Sequence, residues 1–277
     1  NILCGHGAEA GAALTAHPDV GQVVFTGSVQ TGTAVAVAAA QRVVPCVLEL
    51  GGKSPNLVFA ECGLEERVRA SVQECMYNTG QSCDAPTRLL VERSCYERVL
   101  EIAREAAESI VVDDPSKEGD HIGPLFDRIQ FDRVQRMIRV GIDEGAKLLC
   151  GGLGKPPGLD RGWYVRPTIF ADVSNDMTIA QEEIFGPVLV IIPFENEEDA
   201  IRIANDTPYG LAAYIQSGDL VRAERVAARL RAGAIHINGG AYNYGSPFGG
   251  FRQSGNGREG GIWGLEDYQE IKTLHHT

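Results

Sequence analysis

The sequence predicts an α/β protein built on a mostly parallel sheet. Short β-rich apolar runs alternate along the chain with segments of helical spacing. Glycine and proline punctuate the joints between them, and one joint near residue 27 reads as strand, glycine turn, helix. No internal repeat or low-complexity segment interrupts this alternation.

The elements follow in order. Residues 1–21 are rich in glycine and alanine and read as a loop, then a short helix ending near His17-Pro18. Residues 22–26 form a short buried strand, Gly27-Ser28 a turn, and residues 32–41 a small-residue helix. Residues 47–50 are a strand that contains one carboxylate. Gly51-Gly52-Lys53-Ser54-Pro55 breaks the chain before a strand at 56–59. Residues 64–77 carry helical spacing, with Val68, Val72 and Cys75 on one side. A polar turn follows, and then a strand at 89–91. Ser94 is expected to cap a helix running to about residue 110, and residues 127–144 form a second long amphipathic helix. A strand at 146–149, a glycine/proline loop at 151–162 and an extended stretch at 164–170 come next. Val188–Phe194 is a buried strand and Glu197–Asn205 a helix. Strand 211–216, helix 219–230 and strand 234–238 complete the alternation. Residues 239–261 hold many glycines with Tyr242, Tyr244, Phe248 and Phe251 but little periodicity, the mark of a functional loop. Residues 265–274 alternate enough to be a terminal strand.

Composition narrows the function. The 277 residues suffice for one large domain or two modest ones, and 44% apolar with 22% charged residues is an ordinary globular balance. A net charge of −12 argues against nucleic acid and anionic membrane as partners. No apolar run approaches the roughly 20 residues of a membrane helix. Seven scattered cysteines without a CxxC pair argue against a zinc site or a disulfide framework. They fit the reduced thiols of a cytoplasmic protein.

Four features carry chemistry. Cys83 sits in the turn Tyr77-Asn78-Thr79-Gly80-Gln81-Ser82-Cys83-Asp84, with polar neighbours instead of apolar ones. That placement suits a reachable nucleophile, although a lone cysteine is more often inert. Glu49 ends a strand reading Val-Leu-Glu-Leu before Gly51-Gly52. Burial there would raise its pKa toward the range of a general base, whereas an edge-strand glutamate would simply face water. The neighbouring glycines favour function, because they admit another group close to the backbone. Thr26-Gly27-Ser28 with Gly32 offers backbone N–H groups at a helix start, a phosphate site in principle but common in α/β units. Gln181-Glu182-Glu183-Ile184-Phe185-Gly186-Pro187 places a carboxylate two residues from an aromatic ring. It suits a ribose and a stacked ring, or marks no more than a helix end before a strand.

Together these motifs resemble the aldehyde dehydrogenase superfamily. Phe25-Thr26-Gly27-Ser28, Leu48-Glu49-Leu50-Gly51-Gly52-Lys53-Ser54, Asn78-Thr79-Gly80-Gln81-Ser82-Cys83, Glu182-Glu183-Ile184-Phe185-Gly186-Pro187, Ser246-Pro247-Phe248-Gly249-Gly250-Phe251 and Ser254-Gly255-Asn256-Gly257-Arg258-Glu259 stand in that family's order and spacing. The resemblance covers essentially the whole chain. It implies a parallel-sheet catalytic domain with a partial Rossmann-like cofactor domain. Residues 1–49 would be the end of the cofactor domain, 50–258 the catalytic domain, and 259–277 a return segment and oligomerisation tail.

The resemblance also implies roles. Cys83 would attack an aldehyde to give a thiohemiacetal and, after hydride transfer to NAD(P)+, a thioester. Glu49 would activate the hydrolytic water, and Glu259 would relay its protons. Thr26, Gly27, Ser28, Leu50, Glu183 and Phe185 would bind the cofactor, with NAD favoured over NADP. Tyr242 and Phe248 would shape the substrate tunnel. A homodimer or homotetramer is implied for the full-length protein. In that family, roughly the first half of the chain precedes the position of Asn1, with most of the cofactor sheet and a second oxyanion donor. Two other readings therefore stand beside the dehydrogenase: an inactive truncated chain with a binding or structural role, and a thiol esterase.

Overall fold

The computed structural model describes residues 1–277. Its strands are β1 (Val23–Thr26), β2 (Cys46–Glu49), β3 (Pro55–Val58), β4 (Arg88–Glu92), β5 (Lys147–Cys150), β6 (Thr168–Ala171), β7 (Val188–Phe194), β8 (Ala212–Gln216), β9 (Ala234–Ile237) and β10 (Gly255–Asn256). Its helices are α1 (Ala12–Ala16), α2 (Val29–Gln41), α3 (Leu64–Met76), α4 (Tyr96–Ser109), α5 (Arg128–Asp143), α6 (Thr178–Gln181), α7 (Glu197–Asn205), α8 (Leu220–Ala227) and α9 (Gly261–Glu266). A three-stranded sheet has the order β1-β2-β10, and a seven-stranded sheet the order β5-β6-β7-β4-β3-β8-β9. In the larger sheet only β5 runs antiparallel, and in the smaller only β10.

The large sheet is covered on both faces, which explains its continuous apolar strands. Alternate residues face opposite ways. Val58, Leu89, Val91, Leu189 and Ile191 pack against α3 and α4 through Val68, Val72, Val99 and Ile102. Leu57, Leu90, Val190, Ile192 and Ile215 pack the other way, against α5, α7 and α8 through Val134, Ile138, Ala200 and Val226. At the start of β4, Arg88 is fully buried. Its guanidinium donates to the carbonyls of Lys53, Ile203 and Ala204 and to Asn175 Oδ1, so each of its three nitrogens has a partner.

Parallel strands gather their lead-in loops at one end. The segments before β3, β4, β7 and β8 therefore meet at the amino edge of the large sheet. The carboxyl ends of β1 and β2 meet the same place, because β2 leads through Leu50-Gly51-Gly52-Lys53-Ser54 directly into β3. Cys83, Glu49 and Glu183 all lie on these joints.

Three expectations need correction. Residues 265–274 form no strand: α9 closes at Glu266 and residues 267–277 have no regular structure. A strand needs a neighbour to take its N–H and C=O groups and none lies alongside, whereas a helix closes its own bonds. Ser94 is not a cap. It lies in a 3₁₀ turn, Arg93–Cys95, its hydroxyl donates to Glu92 Oε1 at 2.7 Å, and the residue at the cap position is Cys95, which makes no side-chain cap bond. The segment 239–261 is not all loop, since it contains a 3₁₀ turn at Arg252–Ser254 and strand β10. No helix is long and apolar enough to cross a membrane.

Candidate active site

Glu49 is the last residue of β2 and is flanked on both sides. Thr26 of β1 pairs with it in parallel and Gly255 of β10 antiparallel, and the N–H of Gly27 donates to its carbonyl at 3.0 Å. Gly255 must be glycine here: its φ is +120°, and a Cβ would stand 1.8 Å from the carbonyl oxygen of Leu48. The side chain of Glu49 is 3% exposed, and neither carboxyl oxygen has a hydrogen-bond partner. Burial first, and the negative charge of Glu259 second, push its pKa up to about 8, with Arg258 pulling the other way. The alternative of an edge carboxylate facing water does not apply, because β2 is the central strand of its sheet.

Gly51 and Gly52 are where the two sides of the site touch. The N–H of Gly52 donates to Glu183 Oε1 at 3.2 Å, and a Cβ on Gly51 would lie 2.2 Å from Glu183 Oε2. A Cβ on Gly52 would lie 2.5 Å from the carbonyl oxygen of Cys83. Burial raises the pKa of Glu183, while the Gly52 N–H and the cations Arg133 and Lys53 oppose that rise.

Cys83 is half-buried. Burial, then the carboxylates of Asp84 and Glu183, push its thiol up to about 11, against two backbone hydrogen bonds that favour the thiolate. A thiol in this state needs a base when it attacks, and a buried carboxylate near neutrality is suited to that task. The turn that presents Cys83 is strained: Asn78 and Thr79 have φ values of +49° and +61°.

The other expected residues fall around this centre. Ser28 caps α2 by accepting from the N–H of Thr31 at 3.2 Å, and Gly27 and Ser28 are exposed at that helix start. Leu50 packs against Gly32, where a Cβ would stand 2.5 Å from Leu50 Cδ2, so α2 seats directly on the strand that carries Glu49. Phe185 is half-buried with φ +56°. Glu259 is exposed and exchanges two backbone hydrogen bonds with Phe248, of 2.7 and 2.6 Å. Tyr242 meets Phe248 edge to face at 6.1 Å and donates to the carbonyl of Ser246. Tyr242 also lines a cavity of about 270 Å³ that reaches Asp84, the neighbour of Cys83 in the chain.

Sequence reasoning left several positioning residues unassigned. Ser254, fully buried, accepts from the N–H of Gly210 at 3.0 Å and donates to the carbonyl of Gly51 at 2.7 Å, while its own carbonyl accepts from Leu50. Gln130 and Arg133 of α5 donate to the carbonyls of Ile184, Phe185 and Glu183. Lys53 is buried with Nζ unpartnered, and burial drives its pKa down to about 7. Ser254 and Lys53 lie in recognisable motifs, but nothing in the spacing of Gln130 or Arg133 marks them. We predict that Ser254→Ala, which leaves the Gly210 N–H and the Gly51 carbonyl without a side-chain partner, costs about 1–3 kcal/mol in urea unfolding. A loss below about 0.5 kcal/mol would show that both groups find other partners.

The description "Aldehyde dehydrogenase family" matches residues 1–274. A 3-succinoylsemialdehyde-pyridine dehydrogenase from a Pseudomonas species is 51% identical over 274 residues, which are 99% of this chain and 57% of that protein. An aldehyde dehydrogenase structure from Bartonella henselae superimposes with a TM-score of 0.93 at 46% identity, covering 95% of this chain and 55% of that one. A variant of aldehyde dehydrogenase C from Pseudomonas syringae, solved with NAD+ and octanal, gives a TM-score of 0.94 at 47% identity, covering 96% and 55%. The chain thus spans little more than half the length of the relatives it matches. From residue 1 to residue 274, it belongs to the aldehyde dehydrogenase family.

Proposed function

We propose that this chain carries the catalytic part of an NAD(P)+-dependent aldehyde dehydrogenase. Cys83 takes the aldehyde covalently, and Glu49 activates the water that releases the acid. The observation that carries this reading is the meeting at Gly51-Gly52, two and three residues beyond Glu49, where the carboxylate of Glu183 approaches both glycines and the backbone of Cys83 approaches Gly52. Residues 1–49 then end a cofactor domain, 50–258 form the catalytic domain, and 259–277 return the chain and serve assembly into a homodimer or homotetramer.

The residues present suit part of a dinucleotide. The exposed start of the 13-residue helix α2 offers the N–H groups of its first turn to a pyrophosphate lying beside Gly27 and Ser28. Glu183, fixed through one oxygen by Gly52, offers the other to a ribose hydroxyl, and Phe185 borders the ring. When bound, the nicotinamide supplies a hydride acceptor. NAD is favoured over NADP because related structures were solved with NAD+.

The chain's own residues do the remaining chemistry. The Cys83 sulfur forms a bond to the carbonyl carbon as its proton passes to Glu49 or solvent. The N–H of Cys83 supplies one donor to the oxyanion. After loss of hydride a thioester remains on Cys83. Glu49 takes a proton from water, the hydroxide adds to the thioester, and the C–S bond breaks to give the carboxylic acid and the Cys83 thiolate. Glu259, whose charge already acts on Glu49, returns that proton to solvent.

The test compares this 277-residue chain with a polypeptide of its relatives' full length, each given octanal and NAD+. Reduced nicotinamide is expected from the longer protein and not from this chain alone. Failure of the longer protein with every aldehyde in a broad panel would overturn the proposal. Turnover by this chain alone would show that the cofactor needs nothing beyond it. Ester hydrolysis without dehydrogenation would select the esterase reading.

A further inference from the structure

Two strained turns lie back to back across the site. One presents the nucleophile, with Asn78 and Thr79 in the left-handed region, and the other is the cofactor-side turn, with Phe185 at φ +56°. They touch at Gly80 and Gly186: a Cβ on Gly80 would stand 2.2 Å from the carbonyl oxygen of Gly186. A β-branched threonine at φ +61° and a phenylalanine at +56° are strained, and persist only where surrounding contacts over-determine them.

A single stretch, residues 123–133, supplies contacts to both turns. On the nucleophile side, Thr79 Oγ1 donates to the carbonyl of Gly123 at 3.0 Å. The N–H of Phe126 donates to Gln81 Oε1 at 3.0 Å, and Gln81 Nε2 reaches the carbonyl of Asn78 at 3.1 Å. On the cofactor side, Gln130 Nε2 donates to the carbonyls of Ile184 and Phe185 at 2.9 and 2.8 Å, and Arg133 to that of Glu183 at 2.6 Å. Asp127 caps α5 between the two sets, accepting from the N–H of Gln130 at 2.7 Å. The cap makes the lead-in and the helix one rigid body.

We infer that residues 123–133 are a positioning brace that couples the nucleophile turn to the Glu183–Phe185 turn, so that the geometry of Cys83 depends on contacts made on the opposite side of the site. It works through the Phe126 N–H, which holds Gln81 of the nucleophile turn, and through the Gln130 amide, which holds the other turn. Neither side chain is assigned a place against the reacting atoms. The inference rests on the proposed roles of Cys83 and Glu183, but its test does not require turnover.

The experiment measures alkylation of Cys83 by iodoacetamide across pH in the full-length protein, with the modified residue located by peptide mapping. Gln130→Ala is expected to change the Cys83 rate at least about fivefold, although Gln130 contacts only the other turn. Gln81→Ala should change it similarly. The double variant should resemble either single one instead of multiplying their effects. If Gln130→Ala unfolds, Gln130→Glu keeps the volume and removes the amide donor. A Cys83 rate unchanged in Gln130→Ala or Gln130→Glu would overturn the brace, as would effects that multiply in the double variant. Loss of aldehyde oxidation in every form, with the coupled alkylation intact, would remove the proposed function and leave the brace standing.

Discussion

Cys83→Ala in the full-length protein is expected to lower aldehyde oxidation by on the order of 10⁴-fold or more, with cofactor binding retained. Alanine removes the sulfur proposed to bond to the aldehyde carbon, so under that mechanism nothing else restores the rate. The surroundings predict the behaviour of the thiol as well. Burial and the carboxylates of Asp84 and Glu183 hold it near 11, above the range of an ordinary cysteine. Alkylation of Cys83 in the cofactor-free protein should therefore still be rising with pH at about pH 10, where an exposed cysteine is close to levelling off. Steady-state kinetics of Cys83→Ala checks the first expectation. Turnover within tenfold of the wild type would contradict the nucleophile assignment.

Glu49→Gln is expected to give the second largest effect and a different signature. The amide cannot take a proton from water, so acylation proceeds further than deacylation, which should slow by about 10²–10⁴-fold. An acyl adduct on Cys83 should then accumulate and be visible in the intact mass of the quenched protein. In the wild type, deacylation should fall as pH drops through about 8, where Glu49 gains its proton, and the variant should lose that inflection. The stability linkage has a definite sign. A carboxyl whose folded pKa is raised contributes stability fully below its unfolded value of about 4.5. That contribution is lost as pH rises through about 8. Normal steady-state turnover in Glu49→Gln, with no adduct, would refute the base role.

Much of the fold was legible because its signals are local. The seven-residue apolar strand β7 and the nine-residue amphipathic helix α7 begin and end where the sequence predicts. A strand buried on both faces has no polar alternation to blur it, and Asn196 marks the helix start by accepting from the N–H of Asp199. The tail was misread for the opposite reason. Alternation shows that a segment suits a strand, but a strand exists only where a neighbour receives its hydrogen bonds.

For the site, the residue types and their order along the chain were enough to single out Cys83, Glu49, Gly27, Ser28 and Glu183. What the sequence by itself determined is the chemistry available: a thiol in a polar turn, a carboxylate on an apolar strand, and glycines where side chains would obstruct. The tertiary structure decided how those groups behave. Burial of Glu49 between β1 and β10, the approach of Glu183 and Cys83 to Gly51-Gly52, and the brace from residues 123–133 all join segments far apart in sequence. The reason is physical. Desolvation, charge proximity and backbone strain depend on what lies within a few ångströms, and only folding sets residue 49 between residues 26 and 255 and brings residues 83 and 183 to Gly51-Gly52.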